Sequence, residues 1–141
     1  MSRWSRRWGS EMLKGACLCG AVRFEIDGEL ERAPEACHCS QCRKQSGHVL
    51  AAVNVRRSAL KLRGEDQITW YQSSETVRRG FCSICGSTLF WNPTIENYEW
   101  IAVAMGSFDS PTGTRLAKHT FVADKGDYYD IADGVPQGRD Y

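Results

Sequence analysis

A chain of 141 residues with 42% hydrophobic content can bury one core and is too short to argue for two. Eighteen basic residues against seventeen acidic ones leave a net charge of +1, and the arginines occur in scattered pairs such as Arg56-Arg57 and Arg78-Arg79, so the clustered basic footprint of a nucleic-acid binder is missing. No apolar run approaches the roughly 20 residues needed to span a bilayer, and the opening MSRWSRRWGSEMLK is basic without an apolar segment, so neither an anchor nor a secretory signal is expected and the cytoplasm is the default.

In chain order, residues 1–13 read as a short leader. Patterned sequence begins only after Met12, which leaves two starts open, Met1 or Met12, with residues 1–11 then a weakly ordered extension. AVRFEID (21–27) alternates apolar and polar residues as a half-buried strand does. HVLAAVNV (48–55), ALKLRG (59–64), ITWYQS (68–73), STLFW (87–91), EWIAVAM (99–105) and KHTFVAD (118–124) follow the same pattern or are short apolar runs. Gly28, Gly64-Glu65-Asp66, Asn92-Pro93 and Ser110-Pro111-Thr112-Gly113 punctuate them as turns. Only SQCRKQS (40–46) has room for a short helical turn. The expectation is one mainly β, mostly antiparallel domain with little helix.

Seven cysteines are the strongest compositional signal. An odd number without a secretory signal favours metal or redox chemistry over a disulfide scaffold. They fall into Cys17-x-Cys19, Cys37-x-Cys39-x-x-Cys42 and Cys82-x-x-Cys85. Residues i and i+2 of an extended segment point to one side, about 6.5 Å apart. Two such thiolates can converge on one ion, because Zn–S bonds of about 2.3 Å put neighbouring sulfurs about 3.8 Å apart. Cys-x-x-Cys converges through a tight turn, and Gly86 after Cys85 supplies the backbone freedom.

Seven ligands divide as four plus three. Closed four-cysteine zinc sites are structural, whereas catalytic zinc keeps three protein ligands and an open position. The local cluster Cys37, Cys39, Cys42 is the candidate open, catalytic site. Cys17, Cys19, Cys82 and Cys85 then form the closed one, pinning the first strand to a segment more than sixty residues later. A redox Cys-x-x-Cys would need a thioredoxin-like βαβ setting, and neither set has a ferredoxin spacing. His38 is tempting as a fourth ligand, but in an extended segment its side chain points away from Cys37 and Cys39. It is expected to be a hydrogen-bonded neighbour of the site.

GACLCGAVRFE (15–25), CHCSQCRKQSG (37–47), FCSICGSTLF (81–90) and KHTFVADKGDYYDIADGVPQ (118–137), in this order, resemble the glutathione-dependent formaldehyde-activating enzyme family, which also contains centromere protein V-like domains. The resemblance runs from about Lys14 to Gln137, implying a domain over 14–137 with 138–141 as a tail. It implies a β-tent-like fold of small antiparallel sheets organised around zinc, with two zinc ions per chain, and it carries the same four-plus-three partition. It also implies a carbon–sulfur lyase class activity, the joining of glutathione and formaldehyde to S-(hydroxymethyl)glutathione.

Three thiolates around one zinc leave a net charge near −1, which weakens Lewis acidity and favours holding a substrate thiolate over hydrolysis. Glutathione would look for charged partners, for which Arg43, Lys44, Arg78, Arg79, Lys118 and His119 are candidates; Arg43, Lys44 and His119, with Trp91 as a possible wall of the open site, are the expected substrate contacts. The alternative is a non-catalytic zinc-binding module for ligand or protein recognition.

Overall fold

The computed structural model describes residues 12–141, so residues 1–11 of the expected leader, and the choice between Met1 and Met12, lie outside the described residues. The elements are β1 (Leu13–Ala16), β2 (Arg23–Ile26), β3 (Glu35–Cys37), α1 (Ser40–Ser46), β4 (Leu50–Arg56), β5 (Leu60–Arg63), β6 (Ile68–Gln72), β7 (Val77–Cys82), β8 (Thr88–Pro93), β9 (Trp100–Ala104) and β10 (Lys118–Thr120). They form a three-stranded sheet, β1-β2-β5, and a seven-stranded sheet, β10-β3-β4-β9-β8-β7-β6. The protein is mainly β, as expected, and α1 is its single α-helix among the described residues. No helix there is long and apolar enough to cross a membrane.

Three strands escape the alternation pattern. β3 is only three residues long and follows Pro34. β1 buries Leu13 and Gly15, and glycine carries no hydrophobic signal; here a Cβ would sit 2.3 Å from the Phe24 ring and 2.4 Å from the Ser107 carbonyl oxygen, so only glycine fits. β7 reads as polar through Arg78-Arg79-Gly80, yet it lies between β6 and β8 and is paired on both sides. Conversely, the run 118–124 gives only three strand residues, because Phe121 turns to φ 56° and a 3-10 turn follows. β10 pairs with β3 in parallel, an exception to the antiparallel pattern.

The core is filled from both sheets: Phe24 and Ile26 of β2 meet Val53 and Val55 of β4, Leu89 and Phe90 of β8, and Ile101 and Val103 of β9. Phe24 makes edge contacts with Phe90 and Phe108. Leu89 and Phe90 are adjacent in sequence yet both belong to this one core, at 0% and 2% exposure, although neighbours in a regular strand face opposite ways. A register shift solves this: Gly80 pairs with Phe90 and Phe81 with Thr88, leaving Leu89 as the extra residue of a bulge.

β4 and β9 alternate, so their other residues look away from this core. Leu50 and Ala104, joined by Ala52, Trp91 and the cysteines of α1 and β3, make a second small cluster on the opposite face of the large sheet. Leu89→Ala is expected to cost about 2–5 kcal/mol, read as a lower denaturant midpoint with an unchanged slope. A loss below about 1 kcal/mol would show that the bulge does not lock Leu89 into the core.

Candidate metal centre

The chain brings its seven cysteines together as two groups, Cys17, Cys19, Cys82 and Cys85 in one and Cys37, Cys39 and Cys42 in the other. Within each, the sulfurs all lie within 4.8 Å of one another. None is disulfide-bonded.

The first group is built from two turns. The chain leaves β1 at Cys17 and folds back so that the Gly20 N–H reaches the Cys17 carbonyl at 3.1 Å and the Val22 N–H donates to Cys17 Sγ at 3.3 Å. At the end of β7 the N–H groups of Ile84 and Cys85 point at Cys82 Sγ, at 3.4 and 3.5 Å. Gly86 closes that turn at φ 78°, its N–H on the Cys82 carbonyl at 2.8 Å. The Leu18 N–H donates to Ser87 Oγ at 2.9 Å, joining the two turns directly.

Cys17 Sγ lies 3.7 Å from Cys19 Sγ, which lies 3.8 Å from Cys82 Sγ, 63 residues away. These are the separations that tetrahedral bonds of about 2.3 Å to one ion produce, and far longer than an S–S bond. N–H groups aimed at sulfur favour the thiolate form a metal needs. The Ser87 hydroxyl, then backbone N–H donors, lower the Cys85 thiol to about 5.

The second group is local. Cys37 ends β3, Cys39 is the N-cap of α1, and Cys42 sits on the first turn of that helix, its N–H donating to Cys39 Sγ at 3.3 Å. Gly47 caps the other end of α1 in a left-handed conformation. Cys37 and then Cys42, acting as donors, together with the N–H groups of Cys42 and Gln41, hold the Cys39 thiol down at about 2. Cys42 moves the other way, raised by Cys37, by Cys39 and by its burial. One charge is thus readily shared among the three sulfurs, while three charges require a cation among them. The donor set therefore fits a metal ion.

The three cysteines line a cavity of about 340 Å³ with Leu50, Ala52, Asn54, Trp91 and Ala102. Arg79, 3% exposed, donates from Nη1 to Cys42 Sγ at 3.4 Å and from Nε to Ser73 Oγ at 3.0 Å. Asn54 Oδ1 is buried without a partner.

Of the expected substrate contacts, Trp91 lines this cavity; Arg43, Lys44 and His119 do not. Arg43 and Lys44 occupy α1, with Lys44 exposed. His119 is buried behind the site. It bonds the Asp133 carboxylate through Nε2 at 2.8 Å and His38 Nε2 through Nδ1 at 2.9 Å, and His38 continues to the Tyr129 hydroxyl. His38 thus faces away from the sulfurs, which its place between two inward-pointing cysteines foretells. Arg79, named among the charged candidates though not among the expected contacts, belongs with the site. Had residues 77–82 been read as a strand, the period-2 alternation would have put Val77 and Arg79 on one face, while nothing local pointed to Asp133 or Tyr129.

A mainly β domain with two sulfur clusters, each able to hold a metal ion, is the class that the fold and site define. More narrowly, the chain belongs to the glutathione-dependent formaldehyde-activating enzyme family, whose model matches residues 12–124. A Halomonas elongata protein, provisionally named a glutathione-dependent formaldehyde-activating enzyme, is 35% identical over 86 residues; the match covers 56% of this chain and 55% of that one, so it spans about half of that relative's length. An uncharacterised lyase of Schizosaccharomyces pombe is 28% identical over 125 residues, covering 84% of this chain and 85% of the relative. A crystal structure of a Rhodobacter sphaeroides protein superposes with a TM-score of 0.57 at 27% identity, covering 89% of this chain and 98% of that one.

His119→Ala is expected to cost about 1–3 kcal/mol in chemical denaturation, because it removes the partner of buried His38. Unchanged stability would show that the His38–His119 bond carries none.

Proposed function

We propose that this chain is a zinc-dependent carbon–sulfur lyase or synthase that handles the adduct of a small-molecule thiol, glutathione in the first instance, with a small aldehyde such as formaldehyde. In this reading the four-cysteine group holds a structural zinc and Cys37, Cys39 and Cys42 hold the catalytic one. The supporting observation is that the three-cysteine group lies open to a cavity, whose volume of about 340 Å³ falls within the roughly 300–1,000 Å³ range of small-molecule sites.

Zinc bound by the three cysteines would supply an open position at which an incoming thiol loses its proton readily. The remaining work falls to the chain. Arg79 donates to Cys42 Sγ and so offsets part of the negative charge that three thiolates gather. Trp91, Leu50, Ala52 and Ala102 wall the cavity with apolar surface, which limits water around the reacting carbon. Asn54, with a free buried acceptor, can take a hydrogen bond from an N–H or O–H of the substrate.

In the joining direction the thiolate sulfur attacks the aldehyde carbon. A C–S bond forms, the carbonyl π bond breaks, and its oxygen takes up a proton. Cleavage is the reverse.

Exchange NMR of purified protein with glutathione and formaldehyde is expected to show adduct formation faster than the spontaneous reaction. No acceleration and no thiol binding at millimolar glutathione would overturn the glutathione reading. Metal analysis should find two zinc ions per chain. Cys42→Ala is expected to lose one zinc and the activity while staying folded, whereas Cys82→Ala unfolds the domain. Equal unfolding by both would make the second zinc structural and favour a non-catalytic zinc-binding module.

A further inference from the structure

On the opposite face of the strands that carry the cysteine cavity lies a second one, of about 230 Å³. In the β7–β8 register Arg78 pairs with Asn92 and Arg79 with Trp91, and successive residues of a strand face opposite ways. Arg79 and Trp91 line the cysteine cavity while Arg78 and Asn92 line this one. Leu60 and Leu62 of β5, Ile68 of β6 and Ile101 of β9 form its apolar wall, at the border of the core between the two sheets.

The charges in this cavity do not balance. The Arg78 guanidinium stands 4.1 Å over the Trp70 ring, and its Nε is buried with no hydrogen-bond partner. Arg57 donates only to neutral oxygens, the carbonyls of Tyr98 at 2.8 Å and Pro93 at 2.7 Å. Burial, and next the charge of Arg78, lower the pKa of Arg57 from the ordinary arginine value. Glu65 is the one carboxylate among the lining residues, and none of the ion pairs among the described residues joins it to either arginine. Asn92, 5% exposed, has a buried Oδ1 that is also unpartnered. Cations drawn partly out of water are ordinarily paired; these two half-buried guanidiniums share the cavity with no carboxylate bonded to either.

We propose that this cavity binds a small organic carboxylate with an apolar body. The carboxylate lies on the Arg78 guanidinium, whose planar fork suits two parallel bonds, with the charge of Arg57 beside it. The body lies against the aliphatic wall; the orphaned Asn92 Oδ1, an acceptor, takes no part in holding the carboxylate. An inorganic oxyanion would meet the charge and leave the apolar wall uncovered.

Benzoate is the probe. Titrated into the zinc-loaded protein, it is expected to move the backbone ¹H–¹⁵N signals of Arg78 and Asn92 and the Trp70 indole signal saturably, with a rise in the thermal midpoint. Arg78→Gln is expected to weaken binding roughly 10-fold or more with metal content unchanged, and Glu65→Gln to strengthen it by removing the competing carboxylate. If Arg78→Gln does not fold, Arg78→Lys keeps the charge, loses the fork and should still bind more weakly. The proposal is overturned by an absence of saturable shifts at millimolar benzoate, by inorganic phosphate binding as tightly as benzoate, or by undiminished benzoate affinity in a folded Arg78 variant.

Discussion

The convergence of Cys17 and Cys19 with Cys82 and Cys85 is the constraint on which the rest of the architecture depends. It ties the turn leaving β1 to the turn between β7 and β8, and so ties the three-stranded sheet to the seven-stranded one at a single point. Two strands of the small sheet are only four residues long on either side of that turn, and such short strands hold little by themselves. With the turns joined, Phe24 and Ile26 are carried onto the inner face of β4, β8 and β9, and the core closes. The Ser87 hydroxyl, shared between Leu18 N–H and the neighbourhood of Cys85 Sγ, makes the same connection in hydrogen bonds.

Once the large sheet is in place, its two faces do different things. One face packs against β2. The other, through Leu50, Ala104 and Trp91, forms the floor on which α1 rests, with Cys42 at the contact. The three-cysteine group is therefore held by a rigid strand end and a capped helix, while its sulfurs remain open to a cavity. Behind it, Asp133, His119, His38 and Tyr129 form a hydrogen-bonded line that fastens the segment Cys37–Cys39 to the chain beyond β10. This line and the cavity lie on opposite sides of the same short segment, which is how His38 can sit between two site cysteines and serve a different purpose.

Period-2 alternation revealed the strands that carry enough apolar residues to show it: β2, β4, β5, β6, β8 and β9, with β10 shorter than its run suggests. It failed for β1, β3 and β7, because burial there falls on a glycine, on three residues, or on an arginine. Arg79 shows the reason plainly. A buried guanidinium reads as a surface residue until its partners, Cys42 Sγ and Ser73 Oγ, are known to be within reach.

The sequence by itself determined the cysteine partition, the mainly β character and the turn of His38 away from the sulfurs, because each follows from local spacing: two residues along a strand, three through a turn, and the count of four plus three. Tertiary structure alone decided that Arg79 rather than Arg43 or Lys44 meets the sulfurs, that His119 bonds Asp133 and His38 behind the site, and that Arg78 and Arg57 share a cavity with no carboxylate bonded to either. Those contacts join residues 14 to 81 positions apart or depend on which face of a paired strand looks outward. Local spacing carries no information about either.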